Sequence, residues 1–235
     1  MENENQRRRF IKTSVVLGTA AALSGMSLLS CKDKNDEDKK VSPPEDLMQE
    51  HGLLNRVLLI YDCCKIKMVN KESFDLGIIS GAAMIIRTFV EDYHEKQEED
   101  YLFPRFKKAN QLTDLVDVLL KQHKAGRMVT EELLELSKRT HRTEKENQKV
   151  IDLLSAFNRM YRPHEAREDT VLFPAFRKLV SQHEYDSLGE EFEVNERKKF
   201  GEDGFENMVN RVSEIEKKLG IYDLGQFTPQ IEMPS

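Results

Sequence analysis

Two stretches of the chain, seventy positions apart, carry the same set of reactive side chains. The first, HEKQEEDYLFPRFKK, begins at His94, and the second, HEAREDTVLFPAFRK, begins at His164. Each places a histidine and a glutamate at i and i+4, His94 with Glu98 and His164 with Glu168, followed by acid, Leu-Phe-Pro and a second Phe. On a helix, i and i+4 share a face, so each copy offers one imidazole and one carboxylate to a common point. Two such pairs brought together are the donor set of a binuclear metal site.

Four amphipathic helical patterns are available to position them. The first begins after Pro43 and Pro44, near Glu45 and Asp46, carries His51 inward and stops near Val69. The second repeats Ile79, Ala83, Ile86, Val90, His94 and Glu98 at three- and four-residue steps, the period of one helix face. Pro104 is expected to disturb its end. The third starts near Thr113 and carries Leu112, Leu115, Leu119, His123 and Thr130. The fourth carries Val150, Phe157, Tyr161, His164 and Glu168. Short connections between them predict an all-α, up-down-up-down four-helix bundle.

In an antiparallel bundle the four histidines fall at matching depth. A buried layer of four imidazoles and two carboxylates must be neutralised, and two divalent metals do so. Donors drawn from His and Glu without thiolate point to iron or manganese, with zinc next and copper least suited.

The sequence resembles the hemerythrin-like, His-His-Glu cation-binding domain family. The resemblance rests on His51, His94 to Glu98 with its Leu-Phe-Pro, His123, and His164 to Glu168 with its Leu-Phe-Pro. It implies a non-haem centre of two Fe ions, Mn or Zn being the weaker alternatives. One iron would take His51 and His94 and the other His123 and His164, with Glu98 and Glu168 bridging or capping. Open positions would bind dioxygen, peroxide or nitric oxide. Oxygen-carrying members place a second histidine four residues beyond the first on the third helix. Here that position is Arg127, which cannot ligate. The change argues against reversible oxygen transport and for sensing, iron handling or turnover of peroxide or nitric oxide.

Around this set, Tyr161 lies three residues before His164 and is expected to hydrogen-bond into the site. Tyr61 is a candidate for the same task. Arg127 is expected to pair with Glu98 or Glu168. Glu95, like Glu165, directly follows a proposed ligand and reads as either a solvated face or, alternatively, an outer partner of the site or an extra ligand. His141 and His183 read as surface residues, and Phe103, Phe106, Phe173 and Phe176 as packing at the bundle end.

The rest of the chain sets limits. The run at Arg7 to Lys12, the small apolar segment after it and Leu-Leu-Ser before Cys31 resemble a twin-arginine export signal joined to a lipoprotein box. Residues 1–30 are therefore expected to be an export signal and Cys31 a lipid anchor, giving an exported, membrane-anchored lipoprotein. Residues 31–44 form a charged tether, 45–183 the bundle, and 184–235 a C-terminal helical extension packed on it, a homodimer contact being the alternative for that tail. The last stretch, 220–229, is expected to be extended. Formal charge is -6, and with no basic stripe to offset it nucleic-acid binding is not expected. Besides Cys31 only the adjacent Cys63 and Cys64 remain, read as buried filler.

Three functions follow. The first is a diiron protein of the cell envelope that binds or reduces a small oxidant. The second is an iron or oxygen sensing or storage module without turnover. The third is a metal-free bundle for partner contact.

Overall fold

The computed structural model describes residues 41–139 and 141–231. Helix α1 is Pro43–Val69, α2 runs over 77–108, α3 is Thr113–Ser137, and α4 runs over 144–179. They pack as a four-helix bundle, each of α1 and α3 lying against both α2 and α4. Two further helices, α5 (Gln182–Phe200) and α6 (Gly204–Leu219), extend it. No strand occurs among the described residues. The all-α bundle with a helical extension expected from the sequence is the observed fold.

The helix starts follow from local chemistry. Ser42 caps α1 by accepting from the Glu45 amide, while Glu45 accepts from the Ser42 amide. This reciprocal box places both prolines inside the first turn, where proline lacks only an unneeded donor. The helix therefore begins two residues before the expected start. Thr143 and Glu146 build the same box for α4. Leu112 adopts a left-handed conformation before α3 (φ 48°) and is solvent-exposed rather than on the inward face.

Neither Leu-Phe-Pro ends its helix. Proline removes one amide donor and crowds the carbonyl four residues back. Both helices absorb this with a widened π turn just before the proline, Glu98–Leu102 in α2 and Glu168–Leu172 in α4. The Phe103 amide bonds the Glu98 carbonyl, and the Phe173 amide bonds that of Glu168, five residues back in each case. Each π turn opens on the glutamate of the repeated motif.

Two apolar clusters fill the bundle. One contains Leu58, Tyr61, Ile86, Phe89, Leu154, Phe157 and Tyr161. The other contains Leu47, Leu102, Phe103, Leu119, Leu172, Phe173 and Phe176. Every bundle helix passes from one cluster to the other through its histidine: Leu47 to Leu54 around His51, Val90 to Leu102 around His94, Leu119 to Leu133 around His123, and Tyr161 to Leu172 around His164. The polar layer thus sits between two dry caps.

The extension covers one side. Phe200 and Phe205 pack on Phe89, Phe200 meets Tyr93 edge-on, and Phe192 meets Tyr101 edge-on. Arg56 of α1 grips α6, donating to Glu216 at 2.9 and 2.5 Å and to Ser213 at 2.9 Å. Gly201 turns α5 into α6 at φ 86°, a conformation side-chain-bearing residues rarely adopt. After Gly220 the chain forms a 3-10 turn, Leu224–Phe227, capped by Asp223, where an extended segment was expected.

The membrane-anchored, exported lipoprotein expected from the N-terminus is corrected: among the described residues no helix is long and apolar enough to cross a membrane. The bundle helices carry an apolar stripe on one face and charge on the other. The proposed signal, tether residues 31–40 and Cys31 lie outside the described residues.

Phe192 is 1% exposed and joins α5 to the bundle end. Phe192→Ala is expected to lower unfolding free energy by about 3–5 kcal/mol, read from the midpoint of urea unfolding.

Candidate metal centre

Two groups of buried side chains stand in the polar layer, His51 with His94 and Glu98, and His123 with His164 and Glu168. Within each group the donor atoms lie within 4.8 Å of one another. The glutamates also join the groups. Glu98 Oε1 is 3.8 Å from His94 Nε2, while its Oε2 is 3.5 Å from His123 Nε2. Glu168 Oε2 is 3.2 Å from His164 Nε2 and 3.4 Å from His51 Nε2. Each carboxylate therefore straddles both groups.

All four histidines turn Nε2 inward because Nδ1 is held from outside. His51 Nδ1 donates to Asp169 at 2.7 Å, His94 to Glu50 at 2.8 Å, His123 to Glu99 at 3.1 Å and His164 to Gln122 at 2.9 Å. A carboxylate or amide oxygen only accepts, so Nδ1 carries the proton and Nε2 presents a lone pair to the centre. This is the outer hydrogen bond that orients a metal-bound imidazole. His123 Nε2 and His164 Nε2 lie 3.3 Å apart. Both oxygens of Glu98 and both of Glu168 are buried without a hydrogen-bond partner.

Four orphaned carboxylate oxygens facing inward lone pairs are a costly arrangement unless a cation lies between them. The donor set, nitrogen and oxygen without sulfur, suits iron, and the residues present fit a binuclear site.

In the metal-free chain protons carry the compensating charge. Burial alone would lower His51, but its hydrogen bond to Asp169 and the nearby charge of Glu168, 3.4 Å from Nε2, outweigh it and raise the imidazole to about 10. Burial would raise Glu168, yet His164 and His51 hold it below the carboxylate range. Burial and the charge of Glu168 push Glu98 well up. Burial lowers His94 well below its usual value and His123 to about 4.

Phe173 stacks on His51 (centroids 5.6 Å, 19° between planes), and Phe103 stacks on His123 (5.5 Å, 26°). The phenylalanines of the two Leu-Phe-Pro copies thus wall the site, whereas Phe106 and Phe176 pack against each other at the bundle end as expected.

Around the centre several expectations change. Arg127 does not reach Glu98 or Glu168; it pairs with Glu95 at 2.6 Å and Glu99 at 2.7 Å. Glu95 is buried, not solvated. Burial pushes its carboxyl up to about 8, against the pull of Arg127 and the Tyr161 hydroxyl. Glu165 is buried too and accepts from Asn55. Tyr161 reaches the surroundings of the site through Glu95, donating to it at 2.7 Å. Tyr61 does not: it sits in the apolar cluster, edge-on to Phe157, its hydroxyl unpartnered. His141 and His183 are exposed. Cys64 is buried, its thiol pushed up to about 12 by burial, with Cys63 half-buried beside it.

Sequence reading missed Glu50, Gln122, Glu99 and Asp169. The signal was adjacency: Glu50 and Gln122 each precede a single histidine, and Glu99 and Asp169 each follow a motif glutamate.

A family model for the hemerythrin HHE cation binding domain matches residues 42–175. The chain belongs to the hemerythrin family. Within that family it is 43% identical, over 195 residues, to uncharacterized proteins of Mycobacterium bovis and Mycobacterium tuberculosis, covering 83% of this chain and 76% of theirs. No solved structure gives a significant match. The hemerythrin match spans α1 to α4 as far as the second Leu-Phe-Pro, and its limits enclose both His/Glu groups.

If the outer acceptors orient hemerythrin ligands here, Glu50→Ala frees the His94 ring and Asp169→Ala that of His51. Each is expected to weaken metal binding about 10- to 100-fold, measured by competition with a chromophoric chelator.

Proposed function

We propose that this chain holds two iron ions, one by His51, His94 and Glu98 and the other by His123, His164 and Glu168, and that the loaded site binds or reduces a small oxidant such as peroxide, dioxygen or nitric oxide. The observation that carries this reading is the set of four partnerless oxygens of Glu98 and Glu168, buried among four inward nitrogen atoms. Bound iron would supply Lewis acidity and electrons. Six protein groups shared between two metals leave coordination positions for a small ligand.

The chain's own contributions are orientation, dryness and charge. Outer acceptors fix the imidazoles, so little reorganisation accompanies a change of metal charge. Phe103 and Phe173 exclude water from two ligand faces. Arg127, where an oxygen carrier has an additional histidine, leaves the His123 group without that extra nitrogen and adds a fixed cation beside it. This supports redox turnover over reversible oxygen carriage.

The deciding measurement is metal content of the purified chain with an optical spectrum before and after reduction, followed by rapid mixing with hydrogen peroxide. Two irons per chain and peroxide consumption are expected. Iron without consumption would favour sensing or storage, and absence of metal after iron-replete expression would leave only a structural bundle. Glu98→Ala is expected to lose metal, while His141→Ala leaves it unchanged.

Loading should also release protons, because the carboxyl of Glu98, held high by burial, must ionise to ligate. Affinity therefore falls as pH falls and rises as pH rises. Calorimetry of iron(II) binding in buffers of different ionisation enthalpy measures the released protons.

A further inference from the structure

The two helices that carry the repeated motif differ in how their backbones reach it. In α4 the chain is α-helical as far as Arg167 and widens only over Glu168–Leu172. In α2 an additional widened segment, Ile86–His94, comes before Glu98–Leu102, and the Glu95 amide closes it on the Val90 carbonyl, five residues back. Proline accounts for the turn that both helices share. It does not account for Ile86–His94, which contains none, whereas α4 takes Pro163 into its α-helical part without widening there. Widened helix is mostly confined to single turns, so nine residues of it call for support from outside α2.

The C-terminal extension supplies that support. Phe200 of α5 sits edge-on to Tyr93 with ring centroids 5.2 Å apart, and 5.6 Å from Phe89, which Phe205 also meets. Lys199 donates to the backbone carbonyl of Asp92, inside the widened segment. Further along, Asn195 donates to Gln97 and to the Tyr101 hydroxyl, each at 3.2 Å. Tyr93 and Gln97 directly precede His94 and Glu98, and they are 4% and 3% exposed. The equivalent positions of α4, Pro163 before His164 and Arg167 before Glu168, are exposed. The extension therefore backs one copy of the motif and not the other. The two His/Glu groups also draw on α2 unequally: His51, His94 and Glu98 take two of three donors from it, and His123, His164 and Glu168 take none.

We propose that the α5–α6 extension positions the His51, His94 and Glu98 metal group, holding α2 in its widened course so that His94 and Glu98 face His51; this rests on the diiron reading above. Phe200 and Lys199 are the positioning residues. They act through Tyr93, Phe89 and the Asp92 carbonyl. Donor atoms must be held to within about 0.5 Å of their working geometry, so loss of this backing is felt in the affinity of one metal position and not of the other.

The test is titration of the full chain with iron(II) under nitrogen against a chromophoric chelator, resolving two binding steps, with hydrogen exchange of the metal-free chain for the same variants. Two tight steps are expected in the unaltered chain. Phe200→Ala is expected to weaken one step about 10-fold or more, to leave the other unchanged, and to speed exchange over residues 86–102 more than over 144–172. Lys199→Met, which removes only the bond to the Asp92 carbonyl, should weaken the same step less. Phe200→Tyr keeps the ring and should leave both steps tight. Leu154→Ala opens the apolar cluster from α4, where Leu154 is fully buried, and should not single out one step. Equal weakening of both steps in Phe200→Ala, or selective loss of one step in Leu154→Ala, would show general destabilisation and overturn the proposal. Two tight steps that survive Phe200→Ala would overturn it and leave the diiron reading intact. A chain that binds no iron would overturn both.

Discussion

The structure turns on two buried carboxylates. Glu98 and Glu168 lie at the centre of the bundle, wholly inaccessible, with no hydrogen-bond donor on any of their four oxygens. An isolated ionised carboxylate in such a place costs several kcal/mol even after relaxation. Among the surrounding imidazoles, His51 meets part of that cost as a protonated partner. Both dry clusters, the stacked phenylalanines and the outer acceptors are arranged about this layer, which is coherent only with positive charge at its middle.

The two halves of the bundle solve the same placement problem in the same way. α1 and α3 each bring an acceptor followed by a histidine, Glu50-His51 and Gln122-His123. α2 and α4 each bring a histidine, a glutamate four residues on and an acid directly after it. Acceptors then serve histidines on other helices: Glu50 holds His94 and Gln122 holds His164, while Asp169 holds His51 and Glu99 holds His123. The Leu-Phe-Pro copies close the scheme. Their prolines enforce the widened turns that begin at the two glutamates, and their phenylalanines cover the histidines of α3 and α1.

This explains what was legible in the sequence. Helix faces, the bundle and the six inward donors follow from one-dimensional spacing, because i, i+4 pairs and apolar stripes are local properties. Contacts across helices are not local. Arg127 was expected at Glu98 or Glu168 because both are acidic and near in register; its actual partners, Glu95 and Glu99, depend on which face of α2 turns toward α3. Glu95 and Glu165 sit about 100° from a ligand around the helix, which reads as surface until Tyr161, Arg127 and Asn55 are seen to cover them. Tyr61 shows the converse error, a polar-tipped residue assigned to the site that packs as a hydrocarbon. The π turns were hidden for a different reason: proline marks where a helix is perturbed, not whether it breaks or widens.

The departures from two-fold repetition are chemically the most telling. Four residues beyond each single histidine stands the partner of a buried glutamate, Asn55 for Glu165 and Arg127 for Glu95. Three residues before each motif histidine stand Glu91 and Tyr161. The His51 side therefore has a neutral amide and the His123 side a fixed cation with a phenol. The consequence reaches the inward histidines. Asp169 accepts the hydrogen bond of His51, which rises to about 10. Glu99 divides its charge among His123, Lys96 and Arg127, whose hydrogen bonds overcome burial and hold it at about 2. Shared so widely, it cannot offset burial of His123, which falls to about 4. Two His/Glu groups built from the same residue types are thereby made unequal by their surroundings, and the side beside Arg127 is the one that Tyr161 adjoins.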